Sequence, residues 1–295
     1  MNFEEMRQRI ATGQGFIAAL DQSGGSTPKA LKGYGIEEGA WTNEDEMFGL
    51  IHEMRQRIIE TPCFGNGKVI GAILFEKTMD GQSGGKSVPH RLAERGIVPF
   101  LKVDKGLEDE RDGAQLMKPN PGLEDMCNRA RELGVFGTKM RSVVKSANPA
   151  GIKAAVHQQF AEGARILSCG LVPILEPEYD ITAADRAEGE KIMLAAIEEG
   201  LEALPEGQQI MLKLSIPKEA GLYSGLVGHS KVLRVVALSG GYSTDEACDY
   251  LAQNPGMIAS FSRGLLQDLR ATQSDEEFDG TLSGAIDQIH AASIA

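Results

Sequence analysis

The chain has 295 residues, of which 42 % are hydrophobic and 24 % charged, enough apolar material for a packed core in one large domain or two ordinary ones. With 42 acidic and 30 basic side chains its formal net charge is −12. A field of that sign excludes general nucleic-acid and anionic-membrane binding, and a phosphorylated substrate needs a local cluster of cations working against it.

The opening MNFEEMRQRI is acidic and lacks an apolar segment, so no signal peptide is expected, and no apolar run approaches the ~20 residues of a membrane span. Cys63, Cys127, Cys169 and Cys248 are scattered without a Cys-x-x-Cys pair, as free thiols are in a reduced, cytoplasmic protein.

From there, short β-rich runs alternate with longer helical patterns. Strands are expected at FIAALD (16–21), VIGAILF (69–75), VPFLKVD (98–104), FGTKMR (136–141), VPILEPE (172–178), IMLKLSI (210–216), VLRVVALSG (232–240) and MIASFSR (257–263). EDEMFGLIHEMRQRIIE (44–60) carries an apolar stripe at helical spacing. The stretch from Asn148 has Pro149 at a first-turn position and stops at Gly170. Thr182 and Asp185 resemble a capping box opening a helix over 182–204, and Ser243 with Glu246 forms a fuller one. The gap PKEAGLYSGLVGHSK is short for a helical crossover.

Eight strands with intervening helices predict an α/β fold, a (β/α)8 TIM barrel, whose typical size is ~250 residues; a doubly wound open sheet is the alternative. No linker, low-complexity run or repeat interrupts the pattern, so residues 1–295 are expected to form a single domain.

A barrel places its chemistry at the C-terminal ends of the strands. Those ends carry Asp21, Glu76, Lys102 with Asp104, Lys139 with Arg141, Glu176 with Glu178, Lys213, Ser239 with Gly240 and Gly241, and Arg263. Residues two apart share a strand face, so three strands each aim two polar groups the same way. Lys213 stands out because it interrupts the apolar run IMLKLSI, where an ammonium needs a partner, a route to water or a lowered pKa. Each residue also has a plainer reading: a snorkelling or edge lysine, loop-solvating carboxylates, structural ion pairs, a simple glycine turn, or a helix cap in Asp21–Ser26.

Two other motifs fail. GQSGGKS (81–87) has Asp80 where a phosphate loop needs glycine, and the five histidines show no paired-ligand spacing for zinc. The loop reads equally as a lid or a surface turn.

A buried lysine near other cations is the arrangement that makes an amine nucleophilic. At a reference pKa of ~10.4 only about one lysine in 2,500 is neutral at pH 7, and a second cation ~7 Å away contributes roughly 2.4 kcal/mol against the charged form. Lys139 and Lys102 are the candidate neighbours of Lys213. A neutral amine condenses with a ketone to a Schiff base whose iminium accepts the electrons of a breaking carbon–carbon bond, with carboxylates moving the protons.

GQGFIAALDQSGGS, FLKVDKG, FGTKMR, LVPILEPE, LKLSIP, VVALSGGYSTDEA and ASFSRGLLQ, in this order, resemble class I fructose-1,6-bisphosphate aldolases of the shorter bacterial form over nearly the whole chain. The resemblance implies a metal-independent lyase of glycolysis and gluconeogenesis that needs no cofactor and acts on small sugar phosphates. It implies Lys213 as the Schiff-base lysine, Glu176 as general acid/base with Glu178 beside it, Lys139 assisting Schiff-base formation and Asp21 orienting the lysine and intermediate. Arg141 and Lys102 match substrate-contacting cations; Ser239 and Gly240, with Gly241, match a backbone-rich phosphate site. Ser23 and Ser26 lie where the family contacts the other phosphate. Three departures are visible. Animal enzymes have glutamate at the position of Gln22, their late phosphate-binding arginine comes two residues beyond Arg263, and their C-terminal tyrosine has no counterpart in HAASIA. The readings that compete are a Schiff-base lyase for another sugar phosphate, a phosphosugar isomerase using Glu176 without covalent chemistry, and a non-enzymatic sugar-phosphate sensor or scaffold. The sequence leaves a homo-oligomer open.

Overall fold

Strand β1 (Phe16–Leu20) pairs in parallel with β2 (Val69–Leu74), which pairs with β3 (Val98–Lys102), and the ladder continues through β4 (Gly137–Val144), β5 (Val172–Tyr179), β6 (Ile210–Ser215) and β7 (Val232–Leu238) to β8 (Ile258–Ala259). The computed structural model describes residues 1–295 and shows a (β/α)8 TIM barrel. β8 packs beside β1 without ladder hydrogen bonds, so the barrel has one open seam.

The alternation in the strands divides the apolar residues into two sets. Residues facing outward join the helices in the larger core, which includes Leu20, Leu74, Leu101, Leu175, Leu212 and Ala237. Residues facing inward make a smaller cluster, including Ile17, Phe100, Ile174, Met211, Val236 and Ile258, low in the barrel. The helix Phe3–Thr12 closes that lower end with Met6 and Ile10. Arg234 fastens it there, its Nη1 donating to the carbonyl of Ala11 at 2.8 Å. Gly137 lets β4 approach its neighbours: a Cβ there would meet the Val172 carbonyl oxygen at 2.2 Å and the Phe100 ring at 3.0 Å. With the lower end closed, access is from the C-terminal ends of the strands.

Several expected boundaries hold. Helix Glu44–Glu60 coincides with its apolar stripe, and helix Pro149–Ser168 starts on an Asn148 cap and ends before Gly170, whose φ is 80°. Ser243 and Glu246 form a reciprocal capping box. The Thr182/Asp185 box does not form. Asp180 takes the backbone N–H and hydroxyl of Thr182 at 2.9 and 2.7 Å, Asp185 accepts from the N–H of Ala147 at 2.8 Å, and the helix starts at Arg186. Expected strand 257–263 shortens to two paired residues plus one bond from Ser260 N–H to the Ala237 carbonyl, because the seam offers it no second ladder. The segment between β6 and β7 contains only the single-turn helix Ser224–Val227.

The glycine-rich stretch 81–87 is a small antiparallel hairpin, Gln82–Ser83 with Lys86–Ser87. It lies along the side of helix Glu44–Glu60: His52 Nε2 sits 3.2 Å from the Gln82 carbonyl oxygen, and the Ser83 hydroxyl donates to Glu60 at 2.6 Å. Glu60 is the last residue of that helix, so the hairpin reaches the wall's lower end and is a turn, not a lid.

Candidate active site

The inward faces of the strands change character two residues above the apolar cluster. Phe100 is followed on its face by Lys102, Gly137 by Lys139, Ile174 by Glu176 and Met211 by Lys213. Asp21 completes the layer from the end of β1. The result is four ionisable groups almost out of water: Glu176 is 3 % exposed, Lys139 and Lys213 4 %, Asp21 9 %.

Charge alternates through this cluster. Lys139 Nζ lies 2.7 Å from Asp21 Oδ2 and 3.0 Å from Glu176 Oε2, while the other Glu176 oxygen lies 3.2 Å from Lys213 Nζ. Two ammoniums and two carboxylates thus neutralise one another, which lets all four be buried. Lys139 approaches Glu176 Oε2 without an aligned hydrogen bond, so that oxygen keeps a free lone pair.

The electrostatic shifts follow from this sharing. Burial alone would raise the Asp21 carboxyl, but the charges of Lys139, Lys213 and Lys102 outweigh it and hold Asp21 well below the usual carboxylate range. Burial alone would lower Lys139; Asp21, Glu176 and Asp104 more than reverse that. Glu178, one turn of the pleat above Glu176, is pushed up by burial and by the Glu176 charge, against the opposing pull of Arg141.

Of the remaining expected residues, several line the rim and one lies apart. Arg141 Nη1 reaches Glu178 Oε2 at 3.0 Å, with the Arg141 side chain half-exposed. Lys102 is held by Asp104, Nζ to Oδ1 2.8 Å, at the edge of the cluster; the direct partner of Lys213 is Glu176, not Lys102. Glu76 pairs with Arg129 and, at 3.2 Å, with Lys105, and does not join the site. After β7, Gly240 and Gly241 adopt φ of 62° and 127°, in the left-handed region that glycine occupies without strain. A Cβ on Gly240 would lie 2.6 Å from Ile181 Cγ2, and one on Gly241 3.6 Å from Arg263 Nη2. The turn after β7 and the Arg263 guanidinium are therefore brought together. The Ser26 hydroxyl is committed to the Ser23 backbone, accepting from Ser23 N–H at 3.0 Å and donating to the Ser23 carbonyl at 2.8 Å; the Ser23 hydroxyl takes part in neither bond.

Two supporting residues had a signal in the sequence. Gln159 and Arg55, both fully buried, sit on the apolar stripes of their helices. Gln159 Nε2 donates to the Met140 carbonyl at 3.2 Å and the Ser142 hydroxyl at 3.1 Å, and its Oε1 accepts from Glu176 N–H at 3.3 Å. It fixes β4 to β5 behind Lys139 and Glu176. Arg55 donates to the carbonyl of Gln22 at 2.5 Å and to Thr78 Oγ1 at 2.7 Å. Gln22 in turn donates to Ala19 O at 3.1 Å and to Ser262 Oγ at 2.5 Å, stitching the open seam beside Asp21.

No three His, Cys, Asp or Glu side chains converge in a way that could hold a metal ion. The four cysteines are buried and unpaired, and no helix is long and apolar enough to cross a membrane.

The family model for fructose-bisphosphate aldolase class-I matches residues 3–205. Among solved structures, fructose-bisphosphate aldolase from Plasmodium falciparum, crystallised in a ternary complex with TRAP and a small-molecule inhibitor, superposes with a TM-score of 0.73. That match is 21 % identical and covers 99 % of this chain and 94 % of the other, a likeness of fold. A sugar phosphate isomerase/epimerase from Parabacteroides distasonis matches at a TM-score of 0.48 and 11 % identity, over 96 % of each chain. The carboxyl transferase domain of Rhizobium etli pyruvate carboxylase matches at 0.49 and 9 %, over 100 % of this chain and 51 % of that one.

Proposed function

The chain belongs to the class-I fructose-bisphosphate aldolase family, and from that premise we propose that it reversibly cleaves fructose 1,6-bisphosphate to dihydroxyacetone phosphate and glyceraldehyde 3-phosphate through a Schiff base on Lys213. The observation that carries this is a lysine 4 % exposed at the mouth of the barrel, with a carboxylate 3.2 Å from its amine that a second buried lysine also contacts.

In the proposed reaction Glu176 takes a proton from the Lys213 ammonium, and the neutral amine adds to the C2 carbonyl. Glu176 returns that proton to the carbinolamine hydroxyl, with the Lys139 ammonium, held by Asp21, polarising the same oxygen; water leaves, the iminium forms, and Glu176 is a carboxylate again. Glu176 then accepts the C4 hydroxyl proton. The C3–C4 bond breaks, glyceraldehyde 3-phosphate leaves, and the bond's electron pair moves into the iminium to give an enamine. Protonation at C3 and hydrolysis release dihydroxyacetone phosphate and restore Lys213. Glu178, whose proton affinity is raised, is the carboxyl placed to resupply protons at the rim. Lys102, Arg141 and Arg263 with the Ser239–Gly241 turn supply the positive and donor groups for the substrate's phosphates and hydroxyls, against the overall charge of −12. The same reading takes residues 1–295 as one domain, working in the cytoplasm in glycolysis and gluconeogenesis.

Borohydride trapping tests it. Protein incubated with dihydroxyacetone phosphate and EDTA, reduced and digested should carry the adduct on Lys213 in the mass spectrum. An unmodified Lys213 in folded protein that binds the ligand rejects the Schiff base and favours an isomerase using Glu176 alone.

A further inference from the structure

Outside the mouth, the most deeply buried ion pair is Arg186 with Glu190, 3 % and 0 % exposed, Nε to Oε1 2.7 Å. The proposed reaction does not use it. It bridges the first and second turns of helix Arg186–Ala203, and each of its remaining polar atoms is committed to a loop that follows a barrel strand. Glu190 Oε2 accepts the N–H of Lys218 at 2.8 Å, and Arg186 Nη2 donates to the carbonyl of Ile216. Those residues follow Lys213 closely on the exit of β6. Arg186 Nη1 donates to the Tyr242 hydroxyl at 2.8 Å. Tyr242 closes the Ser239–Gly241 turn, its N–H reaching the Ser239 carbonyl at 3.1 Å.

We infer that Arg186 and Glu190 are positioning residues: through the Tyr242 hydroxyl they set the glycine turn against the strand that carries Lys213, and so determine how tightly the phosphate beside the reacting ketone is held. The inference rests on the aldolase reading and goes beyond it.

Stability alone does not account for such a pair, because a desolvated ion pair commonly breaks even against apolar residues of the same volume. A turn built from two left-handed glycines is also intrinsically loose, and ordering it on binding subtracts from affinity. A guanidinium removes that cost in advance. Its planar fork addresses a carboxylate, a carbonyl and a phenol at fixed angles, which a lysine cannot do. β7 is hydrogen-bonded to β6, so a phosphate in this turn lies one strand from the Lys213 amine.

Tyr242→Phe removes one hydroxyl and keeps the ring; Arg186→Lys keeps the charge and loses the fork. The readouts are the concentration of dihydroxyacetone phosphate giving half-maximal borohydride trapping, the same for unphosphorylated dihydroxyacetone, and inhibition by inorganic phosphate. Tyr242→Phe should weaken dihydroxyacetone phosphate and inorganic phosphate about tenfold, the scale of one hydrogen bond in a charged network, while dihydroxyacetone stays within about twofold. Arg186→Lys should follow the same pattern. Equal losses for both ketones, or none for either with Tyr242→Phe, would overturn the inference and leave the pair a merely structural one. Wild-type protein that traps neither ketone overturns the aldolase reading instead, and this inference with it.

Discussion

Lys213 and Glu176 meet across neighbouring strands, Nζ to Oε1 3.2 Å, with the carboxylate's second oxygen turned to Lys139. One carboxylate thus touches both the amine that would attack and the ammonium that would assist. Removing the carboxylate and removing the amine should have different consequences. Lys213→Met should end both turnover and trapping. Glu176→Gln keeps a hydrogen-bonding group of the same shape, so an adduct on Lys213 should still form, more slowly, while turnover drops by about 10²–10⁴. Cleavage kinetics with parallel borohydride trapping separate the two. Full turnover in Lys213→Met would remove covalent catalysis from the account.

Asp21 and Lys139 make the acid and alkaline limits of stability opposite in sign. The Asp21 carboxyl is lowered on folding, so the unfolded chain takes up that proton more readily than the folded one. Its contribution is complete above the unfolded value of about 3.9 and is lost as pH falls through the lower folded value. Lys139 is raised on folding; its contribution is complete below about pH 10.4 and is lost only as pH rises through the folded value. Asp21→Asn should cost about 3–5 kcal/mol at pH 6 by leaving Lys139 partly uncompensated, and should flatten the loss of stability below about pH 4. Urea unfolding at pH 3, 4 and 6 measures both. An unchanged acid limb in the variant would mean that other carboxylates set it.

These relationships were legible in the sequence to different depths. Lys213 announces itself because a strand buried on both sides has no ordinary use for a charge, and period-two alternation alone aligns Lys139 with Arg141 and Glu176 with Glu178. Pairing across strands is another matter. Nothing in IMLKLSI says that Lys213 faces Glu176 while Lys102 turns back onto Asp104, because register between separate strands is set by how they pair in the sheet. Gln159 and Arg55 lie on their helices' buried stripes, but their partners are backbone groups on remote segments that carry no side-chain signature. Thr182 and Asp185 show the converse: the right letters for a cap, overruled by Asp180 two residues earlier.

Gln159 allows the wall behind the cluster to be tested without touching it. Gln159→Leu keeps volume but removes the donor to Met140 and Ser142 and the acceptor for the Glu176 N–H. With buried polar groups left unpaired, stability should fall by about 2–4 kcal/mol. Because the lost acceptor belongs to Glu176's own backbone, kcat should fall more than KM rises. Urea unfolding and steady-state kinetics check this together; lost stability with unaltered kcat would make Gln159 a packing residue only.

Arg263 has no ion-pair partner of its own, and its Nη2 stands 3.6 Å from where a Cβ on Gly241 would be. In a chain of net charge −12, a guanidinium left free beside a turn of left-handed glycines is suited to an anion. Arg263→Ala should therefore raise KM for fructose 1,6-bisphosphate about 10- to 100-fold, the equivalent of one charge-assisted contact, with kcat within a few-fold of wild type. Arg263→Lys should recover part of that loss, since it restores charge without the planar fork. Gly240→Ala attacks the same site from the backbone, because its Cβ would meet Ile181 at 2.6 Å and its φ of 62° disfavours any side chain. It should weaken inorganic phosphate inhibition in parallel with KM. If Arg263→Ala lowered kcat at unchanged KM, the guanidinium would act on the chemical step and the phosphate would have to be held elsewhere.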